Sequence, residues 1–137
     1  MTSAPRERLV LVGPGRAGTS LLRAWRDRGH RTAALAGGSA ASRAAARAEV
    51  GDAAEVPVAD ALGAGSLIVI ATPDDRLDDV VAELARGDGR GALALHLCGG
   101  RPAAALAPLA AAGARIAAFH PLKAFADRAG GRAGLGG

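Results

Sequence analysis

Residues 8–28, RLVLVGPGRAGTSLLRAWRDR, carry three patterns in succession: a short apolar run from Arg8 to Val12, a turn with glycine at positions 13, 15 and 18, and a helical pattern that ends just before Gly29. A buried strand that enters a glycine-rich turn and leaves as an amphipathic helix is the opening unit of a parallel β-α-β sheet. Along the helix, Leu21, Leu22 and Trp25 fall on the inner face and Arg23, Arg26 and Arg28 on the outer. The arginines therefore read as a solvated face. Gly29 can adopt the left-handed conformation that closes a helix.

The same rhythm continues downstream. Thr32 to Ala36 fits a second strand, Ser39 an N-cap for the alanine-rich helix that follows, and Gly51 its stop. Ala53 to Val58 is weak and contains Pro57, so a third strand there is short or at an edge. Leu67 to Ala71 is continuously apolar, as expected of a central strand covered on both faces. Asp74 can cap the next helix, in which Leu77, Val80, Val81 and Leu84 recur on one face. Ala92 to Leu97 reads as a fifth strand, an alanine-rich helix from Pro102 should be kinked or split by Pro108, and Ala114 to Phe119 is a sixth. The predicted class is α/β: a doubly wound, mainly parallel sheet of about six strands with helices on both faces.

At 137 residues the chain suits one domain, placed at 1–125, with the glycine-rich 126–137 read as a flexible tail. No apolar stretch is long enough to span a bilayer and the amino terminus shows no signal-peptide pattern, so a cytoplasmic protein without a membrane partner is expected. The one cysteine, Cys98, excludes an internal disulfide. A formal charge of +4 could suggest nucleic acid, but the arginines are dispersed and aromatics make up only 2% of the chain, which leaves no stacking platform. Large aliphatics are few beside alanine, so burial is expected to be thin and stability to draw on a partner surface.

Gly13, Gly15 and Gly18 form G-x-G-x-x-G directly between strand and helix, the placement that distinguishes a dinucleotide site from a chance match. Gly13 permits the turn, Gly15 lets backbone approach a pyrophosphate, and Gly18 allows close helix packing. Pro14 lies in the turn, and the amides of Arg16 and Ala17 are best placed to donate to the anion. A turn that only packs is the alternative. The P-loop pattern fails, because Thr19 stands where its lysine belongs. About 20 residues beyond the motif, an acid would bind the ribose hydroxyls of NAD. None occurs between Ala33 and Arg47, whereas Ser39, Ser42 and Arg43 could meet a 2′-phosphate, so NADP(H) is expected ahead of NAD(H). Arg43 could equally be an exposed helix arginine.

Ligands of open α/β sheets bind beyond the carboxyl ends of the strands, which brings Thr72, Pro73, Cys98, Gly99 and His120 to one crevice. His120 could donate a proton to a substrate carbonyl or imine, and Lys123 could neutralise an acidic substrate. Either could instead be an ordinary turn or loop residue. His96 reads as a satisfied core residue, Cys98 as small packing, and Asp74 and Asp75 as helix-start charges. A short-chain dehydrogenase fits poorly, because that group depends on a catalytic tyrosine and these residues include none. A methyltransferase with a similar glycine loop fits less well.

The order GPGRAGTSL, ATPDD, LHLCGG and LAPLAAAGARIAAFHPL resembles, over residues 9 to 125, the Rossmann-like oxidoreductases that carry a C-terminal domain of unknown function 2520, relatives of pyrroline-5-carboxylate reductase, prephenate dehydrogenase and 6-phosphogluconate dehydrogenase. That family's His-x-Ser-Gly stands here as His96, Leu97, Cys98 and Gly99. Its His-Pro-Leu is kept at 120–122, and the Gln-Ser that follows is Lys123 and Ala124. The resemblance implies an NADP-linked oxidoreductase acting on a small molecule. It also implies a further helical domain, not represented in these residues: either the sequence is a fragment or truncated product, or a homodimer or a separate helical partner completes the site. A non-catalytic dinucleotide-binding or redox-sensing module is the second reading.

Overall fold

In the computed structural model, residues 8–51 and 53–118 are described. Six strands, β1 (Leu9–Val12), β2 (Thr32–Ala36), β3 (Ala54–Glu55), β4 (Leu67–Ile70), β5 (Leu93–His96) and β6 (Arg115–Ala118), form one sheet in the order β3-β2-β1-β4-β5-β6. Every pairing is parallel, in register from Leu9↔Leu67 to Val12↔Ile70 at the centre. The order reverses between β1 and β4, and at such a reversal the strand exits splay apart and leave a crevice.

Alternation along the central strands assigns each face. Val10, Val12, Ile68 and Ile70 join one core with Leu77, Val81 and Leu84 of α4 (Leu77–Leu84) and with Leu106 and Leu109 near α5 (Ala107–Ala111). Leu9, Leu11 and Val69 join the other, with Leu22 of α1 (Arg16–Asp27) and Ala46 of α2 (Ala40–Val50). Helices therefore lie on both faces, and each fully buried leucine contributes roughly 1.5–3 kcal/mol. A short α3 (Val58–Ala61) crosses from β3 towards β4.

The turn chemistry decides where the elements stop. Gly29 and Gly51 have φ of 87° and 81° at the ends of α1 and α2, as their positions predict. Pro57 follows a β3 of only two residues at the sheet edge. Pro108 sits in the first turn of α5 behind a 3-10 segment at Ala103–Leu106, so it splits the alanine-rich stretch. Asp74 does not cap α4: a 3-10 turn over Asp74–Arg76 intervenes, and neither end carries a side-chain cap. No helix of the described residues is long and apolar enough to cross a membrane.

Candidate functional site

The exits of β1, β4 and β5 and the first turns of α1 and α2 enclose a cleft of about 640 Å³. Its floor is the turn after β1. Gly13 has φ +81°, and a Cβ there would come within 2.5 Å of the Thr72 methyl, so conformation and space both require glycine. A Cβ on Gly18 would lie 2.9 Å from Leu11 Cδ2 and 3.2 Å from Ala71 Cβ, which sets how closely α1 sits on the sheet. Gly15 is different, because a Cβ there meets nothing within 4 Å. The protein's own packing leaves that space free for a ligand.

Gly15 is the N-cap of α1, with no side-chain cap and no acid in the first turn. Its carbonyl accepts from the Thr19 amide at 2.8 Å, while the amides of Arg16 and Ala17 at the helix start have no acceptor among the described residues. Unpaired amides at the positive end of a helix dipole form an anion site. These features, with the room at Gly15, fit a dinucleotide pyrophosphate. Arg16 and Arg76 also line the cleft.

At the other end, Gly37 and Gly38 both take positive φ, 71° and 69°, and turn the chain from β2 into α2. Ser39 caps α2: its Oγ accepts from the Ser42 amide at 3.0 Å and donates to Ser42 Oγ at 3.0 Å. The Ser42 hydroxyl proton is thereby left to point elsewhere. Arg43 lies behind this turn and does not line the cleft. Its Nη1 donates to the carbonyls of Gly37 and Gly38, at 3.1 and 2.9 Å, and its Nε donates to Glu55 at 2.9 Å. Arg47 donates to the second oxygen of Glu55 at 3.1 Å. The Arg43 hydrogen bond first, then that from Arg47, holds the Glu55 carboxyl below its ordinary range.

The far wall joins two strand exits. His96 is fully buried at the end of β5; its Nδ1 accepts from the Cys98 amide at 3.0 Å and its Nε2 faces the Pro102 carbonyl at 3.0 Å. Only the neutral ring with its proton on Nε2 satisfies both, so His96 staples the loop that carries Cys98. The Cys98 thiol donates to the Thr72 carbonyl at 3.4 Å and ties that loop to the exit of β4. Burial, reinforced by the Asp74 carboxylate, pushes this thiol up to about 11. Thr72 Oγ1 is buried with no partner among the described residues.

Of the residues singled out in the sequence, Gly13, Pro14, Gly15, Arg16, Ala17, Ser39, Thr72, Pro73 and Cys98 share the cleft wall. Gly18 serves it from behind, and Arg43 stands outside it. His120 and Lys123 lie outside the described residues. Sequence reasoning missed Glu55, which occupies a weak two-residue strand, and Arg76, Val80 and Leu97 in the wall. An acid at the end of the third strand, one strand over from the expected position, was the available signal for Glu55. No group of three or more potential metal ligands occurs among the described residues.

The sequence matches the Rossmann-like domain family over residues 2–121. No curated protein matches it. Among solved structures, a reductive aminase from Aspergillus terreus in complex with NADPH and ethyl levulinate is 27% identical with a TM-score of 0.65, covering 85% of this chain and 40% of that one. An imine reductase V8 variant from Myxococcus stipitatus in complex with NAD+ is 28% identical with a TM-score of 0.58, covering 72% and 34%. An imine reductase from a Pseudomonas species, 18% identical with a TM-score of 0.62 over 79% and 37%, shares the fold. The chain thus spans about two fifths of the length of these structures or less.

Proposed function

We propose that this chain, which belongs to the Rossmann-like domain family, binds NADP(H) in the cleft and serves hydride exchange with a small carbonyl, imine or alcohol. The observation that carries this reading is the unfilled space at Gly15 beside the unpaired amides of Arg16 and Ala17. Likeness to an NADPH-bound reductive aminase supports it. The domain comprises residues 1–125.

When bound, the nicotinamide supplies or accepts the hydride. The chain's own residues bind and orient it. The amides that open α1 take the pyrophosphate, and Arg16 adds charge at the rim. Ser39 and Ser42, with the free amides at the start of α2, take the 2′-phosphate, while Arg43 buttresses that turn and contributes charge from behind. Thr72, Pro73 and Cys98 form the wall against which the nicotinamide half rests, made rigid by the His96 and Cys98 hydrogen bonds. His120 is the proposed proton donor and Lys123 the proposed partner of a substrate acid. A helical segment, whether of the same protein, of a homodimer or of a separate partner, completes the enclosure.

Calorimetric titration of the folded chain with NADPH and NADH tests this. NADPH is expected to bind more tightly. Tighter NADH binding, or none of either by a folded sample, would sink the reading. One observation favours a non-catalytic dinucleotide-binding module as the second reading: among the described residues, the cleft wall contains no histidine, lysine or tyrosine to move a proton. Tight NADPH binding with no hydride transfer to any imine or ketone, in the presence of a completing partner, would select it.

A further inference from the structure

The strand that ends in Glu55 is the shortest in the sheet, yet it delivers the acid that the end of β2 lacks. Glu55 pairs in register with Leu35, one residue before β2 ends at Ala36. Its two oxygens are divided between two guanidinium groups, Arg43 Nε at 2.9 Å and Arg47 Nη1 at 3.1 Å. Arg43 in turn grips the Gly37 and Gly38 carbonyls, and Gly38 and Ser42 line the cleft. The three charged groups therefore sit directly behind the turn where the 2′-phosphate is placed.

Their sum decides what an anion at that turn experiences. Two arginines alone would present +2; with Glu55 the group presents +1. Glu55 also fixes direction, because an Nε engaged by a carboxylate cannot swing towards the cleft. The Arg43 side chain keeps 25% of its exposure and Arg47 48%, so both have solvent-facing surface that the carboxylate restrains.

We propose that Glu55 is a specificity-determining residue of this site: by engaging Arg43 and Arg47 it withholds their charge from the 2′-phosphate, and so moderates the preference for NADP(H) over NAD(H). The inference rests on the NADP(H) reading of the cleft. Glu55 acts through the arginines and touches no cofactor, so it does not bind the ribose in the manner of an acid at the end of β2.

The test replaces Glu55 by glutamine, which keeps one oxygen to accept from Arg43, removes the negative charge and leaves Arg47 facing an amide nitrogen that cannot accept from it. Binding of NADPH and NADH, and of the fragments adenosine 2′,5′-bisphosphate and AMP, is measured by calorimetry for wild type and Glu55→Gln at two salt concentrations. The variant is expected to bind NADPH and the bisphosphate about threefold more tightly at low salt, with NADH and AMP unchanged and the difference reduced at high salt. An unchanged ratio, or a loss of NADPH affinity, overturns the inference. Wild type that binds neither NADPH nor the bisphosphate overturns the NADP(H) reading, and this inference with it. Should Glu55→Gln fold poorly by circular dichroism, Arg47→Gln offers the converse variant: it leaves Glu55 to Arg43 alone, and weaker bisphosphate binding with unchanged AMP binding is expected, whereas equal weakening of both counts against the inference.

Discussion

Gly13 and Gly15 stand two residues apart in one turn, but a methyl group added to each meets a different obstacle. At Gly13 it combines a left-handed backbone with a 2.5 Å approach to Thr72, and Gly13→Ala is expected to lower stability by roughly 1–3 kcal/mol in a denaturant titration. At Gly15 the backbone is extended, φ −104°, and the space is open, so Gly15→Ala should alter stability by less than about 0.5 kcal/mol. Its effect falls on the ligand instead: NADPH affinity should drop by about tenfold. Equal loss of stability in both variants would show that Gly15 serves packing alone. With the Cys98 thiol raised to about 11 by burial, only about a thousandth is thiolate at pH 8, so the native protein should react with an aromatic disulfide reagent far more slowly than the unfolded chain. Comparable rates would mean that the loop opens readily. The unfolded thiol ionises near 9.0, so the stability contributed by the buried Cys98 thiol is whole below that value and falls as pH rises towards about 11.

At the scale of elements, α2 joins local folding to the site, since the hydroxyl that caps it also faces the cleft. Ser39→Ala removes the bond to the Ser42 amide and should cost about 1 kcal/mol of stability. It should also weaken NADPH more than NADH, and a fall in stability with no change in that ratio would confine Ser39 to capping. This helix start was legible in the sequence because a serine before an alanine-rich run states its own boundary. So was the unit from β1 to α1, where apolar run, glycines and helical period agree. The 3-10 turn before α4 was not legible: an aspartate ahead of a helical pattern looks like a cap whether or not its side chain reaches an amide. Nor was the Glu55 cluster, because it is assembled by sheet pairing between segments twelve residues apart, and only the topology brings the acid to Arg43. Arg43, read as a candidate phosphate ligand, stands outside the cleft wall because the same pairing gives its guanidinium other partners.

For the whole molecule, the described ion pairs concentrate around α2. Glu49 of α2 accepts from Arg23 of α1 at 3.0 Å and lies 3.5 Å from Arg26, whose Nη1 also donates to the Glu49 carbonyl at 2.6 Å. Glu55 joins β3 to α2, whereas Asp88 and Arg90 pair only within one loop. Hydrogen bonds from these arginines hold all three carboxyls low: Glu49 through Arg23, Glu55 through Arg43, and Asp88 through Arg90, to about 2. A carboxyl with a depressed folded value contributes stability that is present above its unfolded value and lost as pH falls through the folded one, which for Asp88 is about 2 and for Glu49 and Glu55 lies below the ordinary carboxylate range. Glu55 and Asp88 are exposed and Glu49 is half-buried, so each effect is small and weakens with salt. Their placement makes the loss uneven. Two of the three tie down α2 and β3, the edge of the sheet that bears the proposed 2′-phosphate site, and none tie down β1 or β4. As pH falls from about 5 to about 3 at low salt, amide exchange in α2 should therefore accelerate relative to β1 and β4, and the thermal midpoint should decline. A midpoint that stays flat over that range, or exchange that rises equally in α2 and the central strands, would mean that packing of Ala46, Val50 and Leu22 joins these helices without help from the charges.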